Sequence, residues 1–328
     1  MPINNKYRYM LTSAKFFAAI MIVTAHCCEA PSSFSAISQD VSSAMKLFSR
    51  SGVAIFFFIS GYLFSFNNRP PVPFWKKKVK TLLVPWMFTG TIVYLYVALR
   101  KQGVDLVGWL LYVGGIKTYL WYMTVLVALY ALFMLFARYK AFLVVVPILS
   151  LISYVTYSLT YPYLWNWGGD YLNVFSWSLF FWAGYMISKH QRFDTLLNFA
   201  SKYRLCWLCL YFMIVFLFVV FDIPCDYGMP QYFPFAILSI IVTFSLAVPL
   251  RDHRIVKHIG TDSFAIYLLH MPLAGIVSNL CNRVDSVILL IIRPIVIIAV
   301  LESSLSLLRS LVKRYPKLGF INALIGTR

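Results

Sequence analysis

Lys15 and His26 stand eleven residues apart in the apolar run SAKFFAAIMIVTAHCC (residues 13–28), and Glu29 follows the histidine at i+3. Histidine is the side chain whose charge changes near neutral pH, which suits it to take a proton from a substrate and return it. On a helix, a carboxylate at i+3 shares the histidine's face and is placed to raise its basicity or orient its ring. Eleven residues are almost three turns, so Lys15 and His26 also share a face, about 16 Å apart along the axis. A second reading stays open for His26, that of a buried histidine satisfied by a neighbouring carbonyl. Cys27 and Cys28 add two thiols, but no base is placed for either and packing accounts for them.

The elements that must carry these residues are membrane helices. Of 328 residues, 61% are apolar and only 12% charged, a balance foreign to soluble domains. Ten apolar runs are long enough to span a bilayer: roughly 12–30, 50–67, 81–99, 119–137, 141–160, 172–188, 205–222, 231–249, 263–281 and 285–308. The expected architecture is all-α and polytopic, about ten transmembrane helices in a single integral-membrane domain over 1–328, with a basic cytoplasmic tail at 309–328. The first run has a basic approach, Lys6 and Arg8, but no small-x-small cleavage pattern, and is read as a retained helix. The formal charge of +18 follows from loops that set orientation, so nucleic acid is not an expected partner. With both termini cytoplasmic, the inner loops collect Arg69, Lys76, Lys77, Lys78, Lys80, Arg138, Lys140, Lys189, Arg192, Lys202, Arg204, Arg251, Arg254 and Lys257; loops 161–171 and 223–230 carry no Lys or Arg. Arg100, Lys101 and Lys117 are an outer exception. Six cysteines lack metal-ligand spacing, and no metal is expected.

Ionisable groups at membrane depth are costly and therefore functional candidates. They are Lys15, His26, His270, Arg293 and Glu302. Arg293 and Glu302, nine residues apart, face opposite sides of one helix and need separate partners; by depth, Lys15 suits Glu302. The inner stretch FWKKKVKTLLVPW (74–86) offers Lys76, Lys77, Lys78 and Lys80 either to phosphates or to anionic headgroups. The outer YPYLWNWGGDY (161–171) suits stacking on sugar faces, or an interfacial aromatic belt.

Several segments in series resemble the membrane acyltransferase type 3 family. Its first helix typically carries an arginine and, eleven residues on, a histidine; Lys15 and His26 hold that spacing, with Lys15 in the arginine's place and Thr12 where an aspartate is usual. SRSGVAIFFFISGYLF (49–64) resembles its second helix and FWKKKVKTLLVPW the basic loop after it. YLWYMTVLVALYALF (119–133), FFWAGYMISK (180–189) and GTDSFAIYLLHMPL (260–273) resemble later helices, in the same order.

The resemblance implies an O-acyltransferase of a bacterial inner membrane that moves an acyl group, most commonly acetyl, from cytoplasmic acyl-CoA to a hydroxyl of a surface or lipid-linked glycan. Acyl-CoA is then a co-substrate and no cofactor is permanently bound. His26 is the general base or the acyl carrier, with Lys15 and Glu29 beside it in the catalytic set; Lys76, Lys77, Lys78 and Lys80 meet the donor's phosphates; Arg50, Ser60, Trp121 and Arg293 hold the acceptor or oxyanion. The rival reading is a glycan or small-molecule exporter, in which buried charges are equally expected.

Overall fold

The computed structural model describes residues 5–67, 70–100, 103–116, 118–157 and 170–327. Every regular element among them is helical, as a bilayer requires of segments that must satisfy their own backbone. The helices are α1 (Asn5–Ala25), α2 (Ala36–Arg50), α3 (Gly52–Asn67), α4 (Pro71–Lys78), α5 (Val84–Arg100), α6 (Leu106–Val113), α7 (Trp121–Phe136) and α8 (Lys140–Val155). They continue with α9 (Val174–Lys189), α10 (Phe193–Lys202), α11 (Arg204–Val220), α12 (Tyr232–Leu250), α13 (Arg254–Cys281), α14 (Val287–Arg314) and α15 (Gly319–Ile325). Each of the ten apolar runs overlaps a helix among the described residues. Among the described residues, six helical stretches are long and apolar enough to cross a membrane, or seven if α10 and α11, bent by 75°, form one span. The chain is a polytopic helical membrane protein. Helices α7 and α8 are 16 residues each, about 24 Å against a hydrocarbon core of about 30 Å.

Two differences from the sequence reading bear on the site. The first helix stops at Ala25 instead of running to residue 30, and His26 and Cys27 turn back to the carbonyls of Val23 and Thr24. Hydropathy cannot register that stop because Cys27, Cys28 and Ala30 beyond it are buried like helix-core residues. The stretch 36–50, too polar to be counted as a span, is an amphipathic helix with Ser38, Ser42, Leu47 and Ser49 buried. The basic tail is also ordered: α14 continues to Arg314, and α15 packs on α5.

The contacts divide the chain into two compact units interleaved along the sequence. In the first (1–56, 191–226 and 231–308) α1 packs on α13. Small residues make that approach possible: Ala14 and Ala18 are fully buried, and a side chain at Gly260 would overlap the carbonyl of Thr12. Asp194 ties down the start of α1 by accepting from Lys6 Nζ at 3.1 Å and from the Tyr7 hydroxyl.

In the second unit (57–190, 227–230 and 309–328) the two glycines of the quoted motifs meet. A Cβ at Gly61 would overlap the carbonyl of Phe181, and one at Gly184 the carbonyl of Phe58. The crossing is thus reciprocal, each backbone lying in the gap left by the other's missing side chain. Asn173 caps α9 through Phe175 N, and Tyr154 donates to Ser176 O at 2.9 Å to hold α8 against it.

Candidate active site

In the first unit, His26 stands on the turn directly after α1, with accessible surface on its ring. That ring meets the fully buried ring of His270 on α13, centroids 5.1 Å apart and planes tilted by 44°. His270 Nδ1 lies 2.7 Å from Tyr267 O; since a carbonyl can only accept, Nδ1 carries the hydrogen and Nε2 holds the lone pair in neutral His270. One imidazole is therefore fixed in orientation and tautomer, while the other belongs to an exposed residue. An accessible histidine backed by a rigid, oriented one is an arrangement suited to proton transfer.

Arg293 of α14, 1% exposed, approaches the same turn. Its Nη1 donates to Cys27 O at 3.3 Å and to Glu29 O at 3.2 Å. The Glu29 carboxylate points elsewhere, to Lys46 Nζ at 3.1 Å, and is exposed. The i+3 argument that placed Glu29 on the histidine's face assumed a helix, and α1 has already ended. The separate partners demanded of Arg293 and Glu302 are present: Arg293 finds carbonyls, and Glu302 Oε2 lies 3.4 Å from His258 Nδ1.

Lys15 lies on α1 about 16 Å from His26 by helical rise. His258, Asp262 and Glu302 form a cluster whose ligand-type atoms lie within 4.8 Å of one another. His258 Nδ1 lies 3.4 Å from Glu302 Oε2 and 3.8 Å from Asp262 Oδ2. One imidazole and two carboxylates would also serve a divalent cation, a possibility the cysteine spacing could not reveal.

The remaining candidates are dispersed. Arg50 pairs with Asp226, and its carbonyl accepts from the Tyr232 hydroxyl at 3.2 Å. In the second unit, Ser60 Oγ is 3.4 Å from the Tyr122 hydroxyl. Trp121 there is nearly buried against Trp177, Tyr171 and Tyr227, at centroid distances of 5.1, 5.4 and 5.9 Å. Of the outer stretch read as a sugar platform, 161–169 lie outside the described residues, and Tyr171 joins this aromatic cluster.

Among the inner lysines, Lys78 donates to the Tyr130 hydroxyl at 2.8 Å and sits 4.2 Å above that ring. Lys76 and Lys77 are exposed. Lys80 lies on a π-helical turn, Val79–Leu83, and lines a cavity of about 310 Å³ with Thr81, Asn322, Thr327, Gly319 and Gly326.

A family model described as an acyltransferase domain, acyltransferase type 3, matches residues 9–308. The chain belongs to that family. No curated protein and no solved structure matches it significantly. Sequence reasoning counted His270 among the functional candidates without giving it a specific role, and did not single out His258 or Asp262. Two of these lie in the segment GTDSFAIYLLHMPL, and the i,i+4 spacing of His258 and Asp262 was a readable signal.

Proposed function

We propose that this membrane acyltransferase moves an acyl group, most simply acetyl, from acyl-CoA supplied at the cytoplasmic face to a hydroxyl of a surface or lipid-linked glycan. The observation that carries this reading is the His26–His270 pair. His26 takes the proton of the acceptor hydroxyl as its oxygen attacks the thioester carbonyl. The tetrahedral intermediate collapses, the carbon–sulfur bond breaks, and the departing thiolate takes that proton to leave as CoA thiol. His270, locked by Tyr267 O, holds the base in its working orientation.

Lys76, Lys77 and Lys80 are assigned to the donor's phosphates, and Lys15 to the donor's path between the inner surface and His26. The accompanying topology is ten crossings of a bacterial inner membrane with both termini in the cytoplasm. It is supported by the ten apolar runs and by the basic residues at one set of helix ends, Lys76–Lys78, Lys189, Arg254 and Lys313 among them.

The test replaces His26 with Ala and compares the acyl content of surface glycans in variant, wild-type and deletion strains at equal membrane protein levels. Loss of O-acyl groups by at least about 100-fold, with export of the glycan unchanged, is expected of a missing general base. Full acylation overturns the assignment of His26, and loss of export with acylation intact replaces the enzyme by an exporter.

A further inference from the structure

We infer that Arg293 is a positioning residue, a cationic cap supplied by α14 to the end of α1 that fixes the turn carrying His26. The inference rests on the reading of His26 as the reacting base. The last carbonyls of a helix and the turn beyond it have no intrahelical donors, and those of Cys27 and Glu29 find theirs in one guanidinium nitrogen 266 and 264 positions along the chain. The charge also opposes the negative end of the α1 dipole. His26 lies between Ala25, where the helix stops, and Cys27, the first carbonyl so held. Its freedom to move against His270 is therefore set by this contact.

Two observations separate Arg293 from an ordinary ion pair. No carboxylate among the described residues lies within ion-pair distance of it, Glu29 being turned to Lys46. Its Nε and Nη2 are buried and without a hydrogen-bond partner among the described residues. An uncompensated cation at this burial is costly, so it does not serve stability alone. Because the guanidinium is sealed from open space and committed to backbone oxygens, it acts through the turn and not by touching substrate. A lysine keeps the charge but lacks the planar Nη1 whose two N–H groups meet the carbonyls of Cys27 and Glu29.

The experiment uses the full chain in native membrane vesicles, with radiolabelled acetyl-CoA as donor and the endogenous membrane acceptor. It compares wild type with Arg293→Met and Arg293→Lys. A second readout is independent of acyl transfer: the rate at which diethyl pyrocarbonate modifies His26, read by peptide mass spectrometry against exposed His253. Arg293→Met is expected to lower kcat about 100-fold through misplacement of the base, leave the acetyl-CoA KM within about two-fold, and shift the His26 modification rate at least about three-fold relative to His253. Arg293→Lys restores about a tenth of the wild-type kcat, the charge being kept and the planar placement of the two N–H groups lost.

Unchanged kcat and unchanged His26 modification in Arg293→Met overturn the inference. So does a loss carried by KM, or an equal fall in both variants that tracks the amount of folded protein. A wild type that transfers no acetyl group while His26 modification still responds to Arg293→Met sinks the proposed reaction and leaves the cap standing. Transfer that depends on His26 but not on Arg293 does the reverse.

Discussion

The crossing at Gly61 and Gly184 and the turn at His26 hold helices in place by opposite means. At the crossing nothing polar is spent on side chains: two backbones touch where Cβ atoms are missing, Gly61 against the carbonyl of buried Phe181 and Gly184 against that of buried Phe58. At the turn, the chain leaves helical geometry at Ala25, and its freed carbonyls are met by a buried arginine from a distant helix. Close packing tolerates no added volume but asks for no charge. The polar turn asks for a costly charge and gains a histidine with a fixed backbone and an accessible ring. Rigidity without chemistry is built from glycine and aromatic residues; rigidity for chemistry is built from donors and acceptors.

The largest effect expected from breaking this contrast is on the packing side. Gly61→Val would force α3 and α9 apart by the width of a side chain, and no folded protein is expected in the membrane fraction by fluorescence-detected size exclusion. A normal, monodisperse peak would show that the crossing yields. On the polar side, His270→Gln is expected to leave the folded fraction unchanged and lower the acetyl-transfer kcat about ten-fold, a partial loss of oriented proton transfer. If kcat were unchanged, His270 would be a packing residue like those at the glycine crossing.

A smaller effect distinguishes the two roles open to Lys78. Lys78→Met is expected to lower the thermal midpoint slightly, through loss of the contact with Tyr130, while the acetyl-CoA KM stays within about two-fold. A ten-fold rise in KM would mean that Lys78 leaves Tyr130 for the donor.

The smallest effect is confined to acid. In the turn between α13 and α14, Asp285 accepts from Ser38 Oγ at 2.6 Å and Ser35 N at 2.7 Å, fastening the start of α2. The Ser38 hydroxyl, then the Ser35 backbone amide, hold its carboxyl below the ordinary carboxylate range. The stabilisation is therefore present above the unfolded value of about 3.9 and lost as pH falls through the lower folded value. Thermal midpoints of wild type and Asp285→Asn should differ at pH near 6 and converge in acid below about 4; a difference that persists unchanged in acid would remove Asp285 from the account.

Helices were legible because hydropathy at the scale of a bilayer leaves few alternatives, and each apolar run overlaps one among the described residues. The two motifs containing Gly61 and Gly184 were visible as segments, but their mutual contact is a property of two backbones more than a hundred residues apart that no local pattern encodes. His26 stood out by type and setting. Its true neighbours did not: Glu29 was close in sequence and faces Lys46, whereas His270 and Arg293 were far in sequence and meet the turn. The cause is the helix stop at Ala25, hidden because the residues after it are as apolar as those before. Helix α2 was missed for the complementary reason, since only one side of it is buried and its serines lower the average below that of a span.

The separation of 266 residues between Arg293 and Cys27 also sets a timetable. At about 5–20 residues per second of synthesis, α1 waits on the order of 10–50 s before α14 emerges to cap it. During that interval the newly inserted first helix holds Lys15 and an untethered His26 in or beside lipid. Until the last long helix arrives, the turn after the first one lacks the buried donor that meets its carbonyls, and an incomplete chain carries His26 beside an uncapped helix end.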